Sequence, residues 1–216
     1  MKKNLSAFIL GLLTWVAPFA LAHEAHAQGS SGTPLAEMPA GEYELDKTHA
    51  SLIWKVSHLG LSDYTARFTD FDATIQLNPE NLTQSQVQAT INPMSVKTDY
   101  PHPEKKDFDA KLAKGEGWFN AEAYPEITFV SKNLEKTGET TGTMTGDLTF
   151  LGVTKPVTLD VTFNKAMQEH PFAGKPALGF SAEGSLKRSE WGMDTYLPNI
   201  GDHVKILIEA EFFKAE

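Results

Sequence analysis

The sequence of 216 residues contains no cysteine. This absence excludes disulfide bonds, cysteine nucleophiles and cysteine-ligated metals. The chain also lacks a Gly-x-Ser-x-Gly motif, a phosphate-binding Walker loop and a His-Glu-x-x-His motif. These motifs position nucleophiles, phosphates and catalytic zinc, so the sequence offers no such catalytic site.

Basic residues are scarce relative to acidic ones. Lys and Arg together number 19 against 28 for Asp and Glu, which leaves a net charge of −9. Affinity for phosphate backbones is supplied mostly by Lys and Arg, so nucleic acid is excluded as an expected partner.

The N-terminal segment has the pattern of an export signal. Lys2 and Lys3 precede an apolar run that ends at Ala22, and small residues follow. We predict a signal peptide over residues 1–22, with cleavage after Ala22 or as late as Ala27, and therefore a periplasmic protein. A permanent N-terminal anchor is the alternative.

Residues 23–40 are rich in Ala, Gly, Ser and Pro and predict a flexible leader; residues 41–216 form the predicted folded domain. His23 and His26 are interpreted as part of that leader, so no metal site is expected.

Apolar residues recur at every second position over most of the domain, which predicts long half-buried strands. The expected strands lie near residues 42–46, 50–59, 63–77, 84–93, 126–135, 141–150, 155–165, 177–188 and 203–214. The first two are interpreted as one bent strand or two separate ones. The apolar residues fall on even positions up to Phe68 and on odd positions from Phe71, and this change of parity predicts a β-bulge near Thr69 and Asp70.

One segment departs from the strand pattern. Phe108 and Leu112 lie four residues apart among charged residues, which predicts a short helix within residues 103–114. Many long antiparallel strands with one short helix indicate an all-β fold, either a sandwich or a closed barrel. The barrel is favoured, because strands of this length could enclose a pocket for one elongated ligand.

Two apolar rows end on a titratable side chain. One row, beginning at Leu52, leads to His58, and a second, beginning at Leu178, leads to Arg188. Residues two apart share a face of a sheet, so both side chains are predicted to face the interior near one opening. There they would hold the polar head group of a ligand. The alternatives are a histidine satisfied by a backbone carbonyl and an arginine paired with a nearby carboxylate, that of Glu190, Asp194 or Asp202.

The remaining predicted ligand-binding residues are apolar and would line the channel for a tail. They are Trp54, Val56, Phe163, Leu178, Phe180, Ile206 and Ile208.

Several motifs, taken in order, resemble one known family. The motifs are Tyr43-Leu45-Asp46-His49, Trp54-Val56-His58-Gly60, Tyr124-Pro125-Glu126-Ile127-Thr128-Phe129, Gly152-Val153-Thr154-Lys155-Pro156-Val157, Gly179-Phe180-Ser181-Ala182, Leu186-Lys187-Arg188-Ser189-Glu190-Trp191-Gly192 and Asn199-Ile200-Gly201-Asp202. Together they resemble the YceI family of exported, polyisoprenoid-binding, lipocalin-like proteins. The likeness covers about residues 41–214. It implies an extended eight-stranded antiparallel barrel whose lumen holds a long amphiphile, such as a prenyl phosphate, an isoprenoid quinone of the ubiquinone type or a fatty acid amide.

We therefore expect a periplasmic carrier or sequestering protein for such a lipid, without catalytic residues or a required cofactor. Transient contact with a membrane or membrane protein and a homodimer are open expectations. Two rival functions stay open. One is an enzyme acting on the lipid with His58 as acid or base, and the other is an envelope stress protein without a ligand.

Overall fold

The computed structural model describes residues 32–216. The predicted signal peptide, both cleavage sites and residues 23–31 of the predicted leader lie outside the described residues. The regular elements are β1 (Gly41–Leu45), β2 (Ser51–His58), β3 (Ser62–Phe68), β4 (Phe71–Leu77), β5 (Gln86–Ile91), β6 (Val96–Lys97), α1 (Phe108–Lys114), β7 (Ile127–Lys136), β8 (Thr141–Phe150), β9 (Val153–Met167), β10 (Ala177–Lys187) and β11 (Ile200–Lys214).

The strands form a closed antiparallel barrel. Neighbours follow the order β1-β4-β5-β7-β8-β9-β10-β11, and a β1–β11 pairing closes the ring. β2 prolongs β1 and β3 leads into β4, so each of these pairs forms one wall strand and the barrel has eight. The predicted eight-stranded barrel is confirmed, and so is the interpretation of the first strand as bent.

The barrel has an upper and a lower end. The upper end is where β2 ends and β11 begins, and it comprises residues 58–62, 92–126, 150–153 and 188–200. The lower end is where β4 and β7 end, and it comprises residues 32–41, 78–85, 137–140 and 168–176.

The parity change after Phe68 is a strand break instead of the predicted single-residue bulge. β3 ends at Phe68 and β4 begins at Phe71. The backbone N–H groups of Thr69 and Asp70 donate to Ser95 Oγ at 3.2 and 3.0 Å. Because Ser95 replaces the ladder partners of both residues, the chain can change faces over two residues without leaving these donors unsatisfied.

The predicted helix is present but shorter than the segment in which it was expected. Asp107 caps it, with Oδ1 accepting from Ala110 N at 2.8 Å. Before it, His102 O accepts from the backbone N–H groups of Lys105 and Lys106, which forms a turn. Leu112 is buried, so the helix turns its apolar side toward the upper end of the barrel.

Residues 32–40 are attached to the barrel, which corrects the expectation of a free spacer for this part of the leader. Met38 is only 3% exposed and lies in a buried apolar cluster, named here the lower core cluster, which consists of Met38, Tyr43, Leu45, Ile75, Leu77, Ala166, Leu178, Ala210 and Phe212. Thr33 N donates to Ala166 O at 2.9 Å, and Glu37 O accepts from Gln168 Nε2 at 2.6 Å. Burial of Met38, with the partly buried Leu35 packed against the same cluster, thus holds this segment of mostly small residues.

Candidate functional site

The barrel encloses a cavity of about 1490 Å³ that reaches from the upper to the lower end. Typical pockets for drug-sized ligands occupy roughly 300–1,000 Å³, so this lumen suits a longer molecule. Its wall is mainly apolar because alternate residues of each strand face inward. Eight of the nine predicted site residues line it: Trp54, Val56, His58, Phe163, Phe180, Arg188, Ile206 and Ile208.

Leu178 is the exception among the predicted site residues. It is only 1% exposed and lies in the lower core cluster, beside the strand residues that pair with it, Ala166 and Phe212. Leu178 is not one of the described residues that line the cavity. Its inward parity was therefore predicted correctly, but it contributes to the packed core instead of the cavity surface.

An aromatic group surrounds the upper part of the cavity. The ring of Phe119 lies 6.1 Å from that of Trp54 and 5.2 Å from that of Phe68. Tyr64 and Phe108 are 6.1 Å apart in an edge-to-face arrangement. Phe108, Trp118 and Phe119 come from the segment around α1, which the sequence analysis did not assign to the site. Their position could not be read from strand parity, because they do not lie on strands.

Arg188 is buried, with 2% of its surface exposed, and its guanidinium group binds backbone carbonyls. Nε donates to Gly201 O at 2.8 Å and Nη1 to Met193 O at 2.9 Å. Nη2 donates to Thr195 O and Ile200 O, both at 2.9 Å. The loop between β10 and β11 is thus folded around the arginine. Neither a head group nor a carboxylate is needed to satisfy these four donors.

The turn that places these carbonyls depends on Gly192. Arg188 lies in a short 3-10 helix that ends at this glycine, whose φ of 86° is in the left-handed region. Most side chains disfavour this conformation, whereas glycine adopts it readily. The chain therefore reverses directly after Trp191 and returns Met193 O to the guanidinium group.

Asp202 connects the same loop to the start of the 3-10 helix. Its carboxylate accepts from Ser189 N at 2.9 Å and from Ser189 Oγ at 2.8 Å. Burial alone would raise the pKa of Asp202, but these hydrogen bonds and the nearby Arg188 charge lower it below its usual value. Burial lowers the pKa of Arg188, and the charges of Asp202 and Asp194 partly oppose this shift. Arginine stays protonated at any pH relevant to the protein.

His58 ends β2 at the upper opening and is exposed. Its ring forms no side-chain hydrogen bond within residues 32–216. It therefore stands at the opening but is not oriented by a carboxylate or a hydroxyl group, as a general base usually is. Of the two predicted head-group residues, one is exposed at the rim and the other is buried behind it.

The charged residues at the two openings differ in sign. Lys106 and Lys111 line the upper part of the cavity, whereas Glu80, Glu135 and Glu139 line its lower part together with Lys136. Neither Lys106 nor Lys111 was among the predicted site residues, because the distance of the helix from the lumen cannot be read from its sequence pattern.

A separate titratable cluster lies outside the lumen, where β1 bends into β2. One carboxylate oxygen or ring nitrogen from each of Asp46, His49 and Glu211, atoms of the kind that bind metal ions, lies within 4.8 Å of the other two. Asp46 Oδ2 accepts from His49 Nδ1 at 2.7 Å, and Oδ1 accepts from Thr48 N at 2.9 Å. The hydrogen bond to Asp46 raises the pKa of His49. Burial would raise the pKa of Asp46, but its bonds to His49 and Thr48 outweigh this and lower it.

The chain is similar in sequence and in structure to several known proteins. The sequence model described as YceI-like domain matches residues 43–212. Protein YceI of Salmonella arizonae is 34% identical over 213 residues, which cover 98% of this chain and 97% of the relative. The Campylobacter jejuni YCEI protein, solved by crystallography, is 31% identical with a TM-score of 0.64, covering 74% of this chain and 90% of that one.

A more distant structure shares the fold alone. It is a polyisoprenoid binding domain from Saccharophagus degradans, 15% identical with a TM-score of 0.59, covering 80% of this chain and 98% of that one. Within residues 32–216, no helix has the length and apolar character needed to cross a bilayer. From the domain match and the full-length relatives, we conclude that this chain belongs to the YceI family.

Proposed function

We propose that the protein is a periplasmic carrier or sequestering protein that holds a long-chain isoprenoid or related amphipathic lipid inside the barrel. The observation that carries the proposal is the apolar cavity of about 1490 Å³ along the barrel. The polyisoprenoid-binding domain from Saccharophagus degradans, which shares the fold, supports the same ligand class. A barrel without a ligand would be expected to fill its interior with side chains, so the open lumen favours a binding protein over a purely structural envelope protein.

The tail would supply most of the affinity. Each methylene group buried in the lumen contributes about 0.8 kcal/mol, whereas a hydrogen bond to a charged group contributes about 1.5–3 kcal/mol. A tail of roughly ten methylene groups therefore outweighs two polar contacts. The rows that contain Phe163, Phe180 and Ile208 would bind it, and contacts at an opening would set its orientation.

Binding is favoured over catalysis as the role of the site. General acid–base chemistry needs a titratable group that is positioned by a partner and close to the reacting bond. His58 is exposed and lacks such a partner among the described residues. Arg188 is committed to the loop carbonyls.

The lipid would enter and leave at the upper end, where several large apolar side chains are exposed, whereas in the described part of the chain Phe172 is the exposed one at the lower end. Leu59 is 54%, Leu61 82% and Tyr196 60% exposed. Tyr196 also lines the cavity. Exposed apolar residues around an opening favour brief contact with a membrane or a membrane protein during transfer.

The first test is to identify what the purified protein holds. Native mass spectrometry and solvent extraction of the exported protein should recover a long-chain lipid. An empty preparation that also fails to bind prenyl quinones and prenyl phosphates would contradict the proposal.

A matched pair of variants tests whether the lumen is the binding site. Ala182 lines the cavity on β10, and the adjacent Glu183 is exposed on the outer face. In Ala182→Trp the added indole ring should occupy part of the lumen. If it excludes about three methylene groups of the lipid tail, binding should weaken about 50-fold. Glu183→Trp adds the same side chain outside and should bind as the wild type does. Equal binding by both variants would show that the lipid lies elsewhere.

A further inference from the structure

Charged side chains along the cavity are segregated by sign. At the upper end the fully charged residues that line it are Lys106, Lys111 and Arg188, all cationic. At the lower end and in the adjoining last residues of β7 they are Glu80, Glu135, Glu139 and Lys136, which together are anionic. The wall between them is apolar, so a charged group entering the lumen meets opposite environments at the two ends.

The two upper lysines differ in their contacts within residues 32–216, because the ammonium group of Lys106 lies 4.7 Å from the centre of the Phe108 ring. In the part of the chain that the structure describes, neither Lys106 nor Lys111 forms an ion pair. Two other basic residues of this region are paired: Lys97 lies 3.2 Å from Asp109, and Lys114 lies 3.6 Å from Glu122.

Nearby acidic side chains are committed to structural contacts. Asp107 caps α1 through its bond to Ala110 N, and Asp109 accepts from Thr98 N at 2.9 Å as well as from Lys97. Neither of these carboxylates is among the residues that line the cavity. The lysine charges that face the lumen are therefore not neutralised by these two groups.

Arg188 adds a positive charge behind the lysines. Its donors bind carbonyl oxygens, which satisfy its hydrogen bonds but do not cancel its net charge. The charges of Asp202 and Asp194 offset part of this charge from a distance, since within residues 32–216 no carboxylate lies within 4.0 Å of the guanidinium nitrogens. Aromatic side chains surround the same part of the lumen, and charges act over longer distances beside such a low-dielectric wall.

We propose that the upper opening selects lipids with an anionic head group, with Lys106 and Lys111 as the specificity-determining residues. This inference rests on the proposed lipid-binding function and adds the chemical class of the head. The head lies at the upper end and the tail points toward the lower end. The reverse orientation places the anion beside Glu80, Glu135 and Glu139, which repel it.

The test compares two probes that share one tail, geranylgeranyl monophosphate and geranylgeraniol. A phosphate monoester carries about −1.5 to −2 charge at neutral pH, whereas the alcohol is neutral. Binding to the full exported chain is followed by tryptophan fluorescence, since Trp54 and Trp118 line the cavity. The wild type should bind the phosphate about tenfold more tightly than the alcohol at low salt. The preference should decrease as salt screens the lysines.

The variant is Lys106→Gln with Lys111→Gln, which removes both charges and keeps hydrogen-bonding side chains. Its affinity for the phosphate should fall about tenfold, so that it binds the phosphate no better than the alcohol. Lys105→Gln is the matched control, because Lys105 is exposed beside Lys106 but does not line the cavity, and its preference should equal that of the wild type. Thermal unfolding of all variants reports whether the fold is retained.

The outcomes separate the two proposals. Equal affinity of the wild type for both probes, or a preference that survives the double substitution, overturns the head-group inference and leaves lipid binding standing. Failure of both probes to bind overturns lipid binding and the inference with it. Inorganic phosphate serves as the head without a tail. We expect inorganic phosphate not to displace bound geranylgeranyl monophosphate. Displacement at equal concentration would indicate a site for free phosphate and would overturn the inference.

Discussion

The two ends of the barrel are held in place by different interactions. At the lower end, the chain before β1 is attached by burial of Met38 and by the backbone hydrogen bond from Thr33 N to Ala166 O of β9. At the upper end, the loop before β11 is folded around the buried guanidinium group of Arg188. Apolar burial tolerates small adjustments, whereas a buried charge with directional bonds fixes one loop conformation. The upper end thus presents a defined rim beside the proposed head-group site.

The largest expected effect comes from removing the upper interaction. Arg188→Met keeps a long apolar side chain but leaves four loop carbonyls without their donor. Unsatisfied buried polar groups are costly, so the free energy of unfolding should fall by about 3–5 kcal/mol. Urea unfolding at neutral pH would measure this change.

Arg67→Met is the control for loss of an arginine. Arg67 pairs with Asp99 at the surface, where its side chain is 46% exposed. Exposed ion pairs contribute about 0–1 kcal/mol, so this variant should unfold almost as the wild type does. If both variants lost equal stability, Arg188 would not be the residue that organises the upper loop.

A smaller loss is expected when the lower interaction is removed. Met38→Ala deletes a side chain in the lower core cluster and should lower the free energy of unfolding by about 2 kcal/mol. Glu37→Ala is the control, because Glu37 is exposed and its backbone oxygen, not its side chain, binds Gln168. Unchanged stability of Met38→Ala would mean that residues 32–40 do not contribute to the folded state.

Strand parity predicted the barrel wall well, because inward and outward positions alternate regardless of distant contacts. It identified the rows of Trp54 and Phe180, and the observed strand bounds lie close to the predicted ones. It also gave Arg188 the correct inward direction. What it could not show was the partner of Arg188, because backbone carbonyls belong to every residue and leave no sequence pattern.

Residues outside the strands were harder to place. Lys106, Lys111 and Phe119 reach the cavity because α1 and its flanking turns lie across the upper end. Their sequence pattern shows a solvated helix with one apolar side, which is equally compatible with a helix far from the opening. Met38 was overlooked for a related reason, since a single apolar residue has no periodicity.

The smallest expected effect concerns pH and again distinguishes the two ends. The pKa of Asp202 is lowered in the folded state, so its ionised form stabilises the protein above its unfolded pKa of about 3.9. That contribution is lost as the pH falls through the lower folded pKa, and the bonds to Ser189 weaken with it. The protection factors of the amides in residues 188–202, which are corrected for the slower intrinsic exchange at low pH, should therefore fall under acid more than those in residues 33–41. Asp202→Asn should already lower the free energy of local opening of residues 188–202 by about 1 kcal/mol at neutral pH, which would appear as faster amide exchange. Asp194→Asn is the control, because Asp194 forms no bond to Ser189, and its exchange should match that of the wild type. Equal acid sensitivity of both segments would contradict a special role for Asp202 in holding the upper loop.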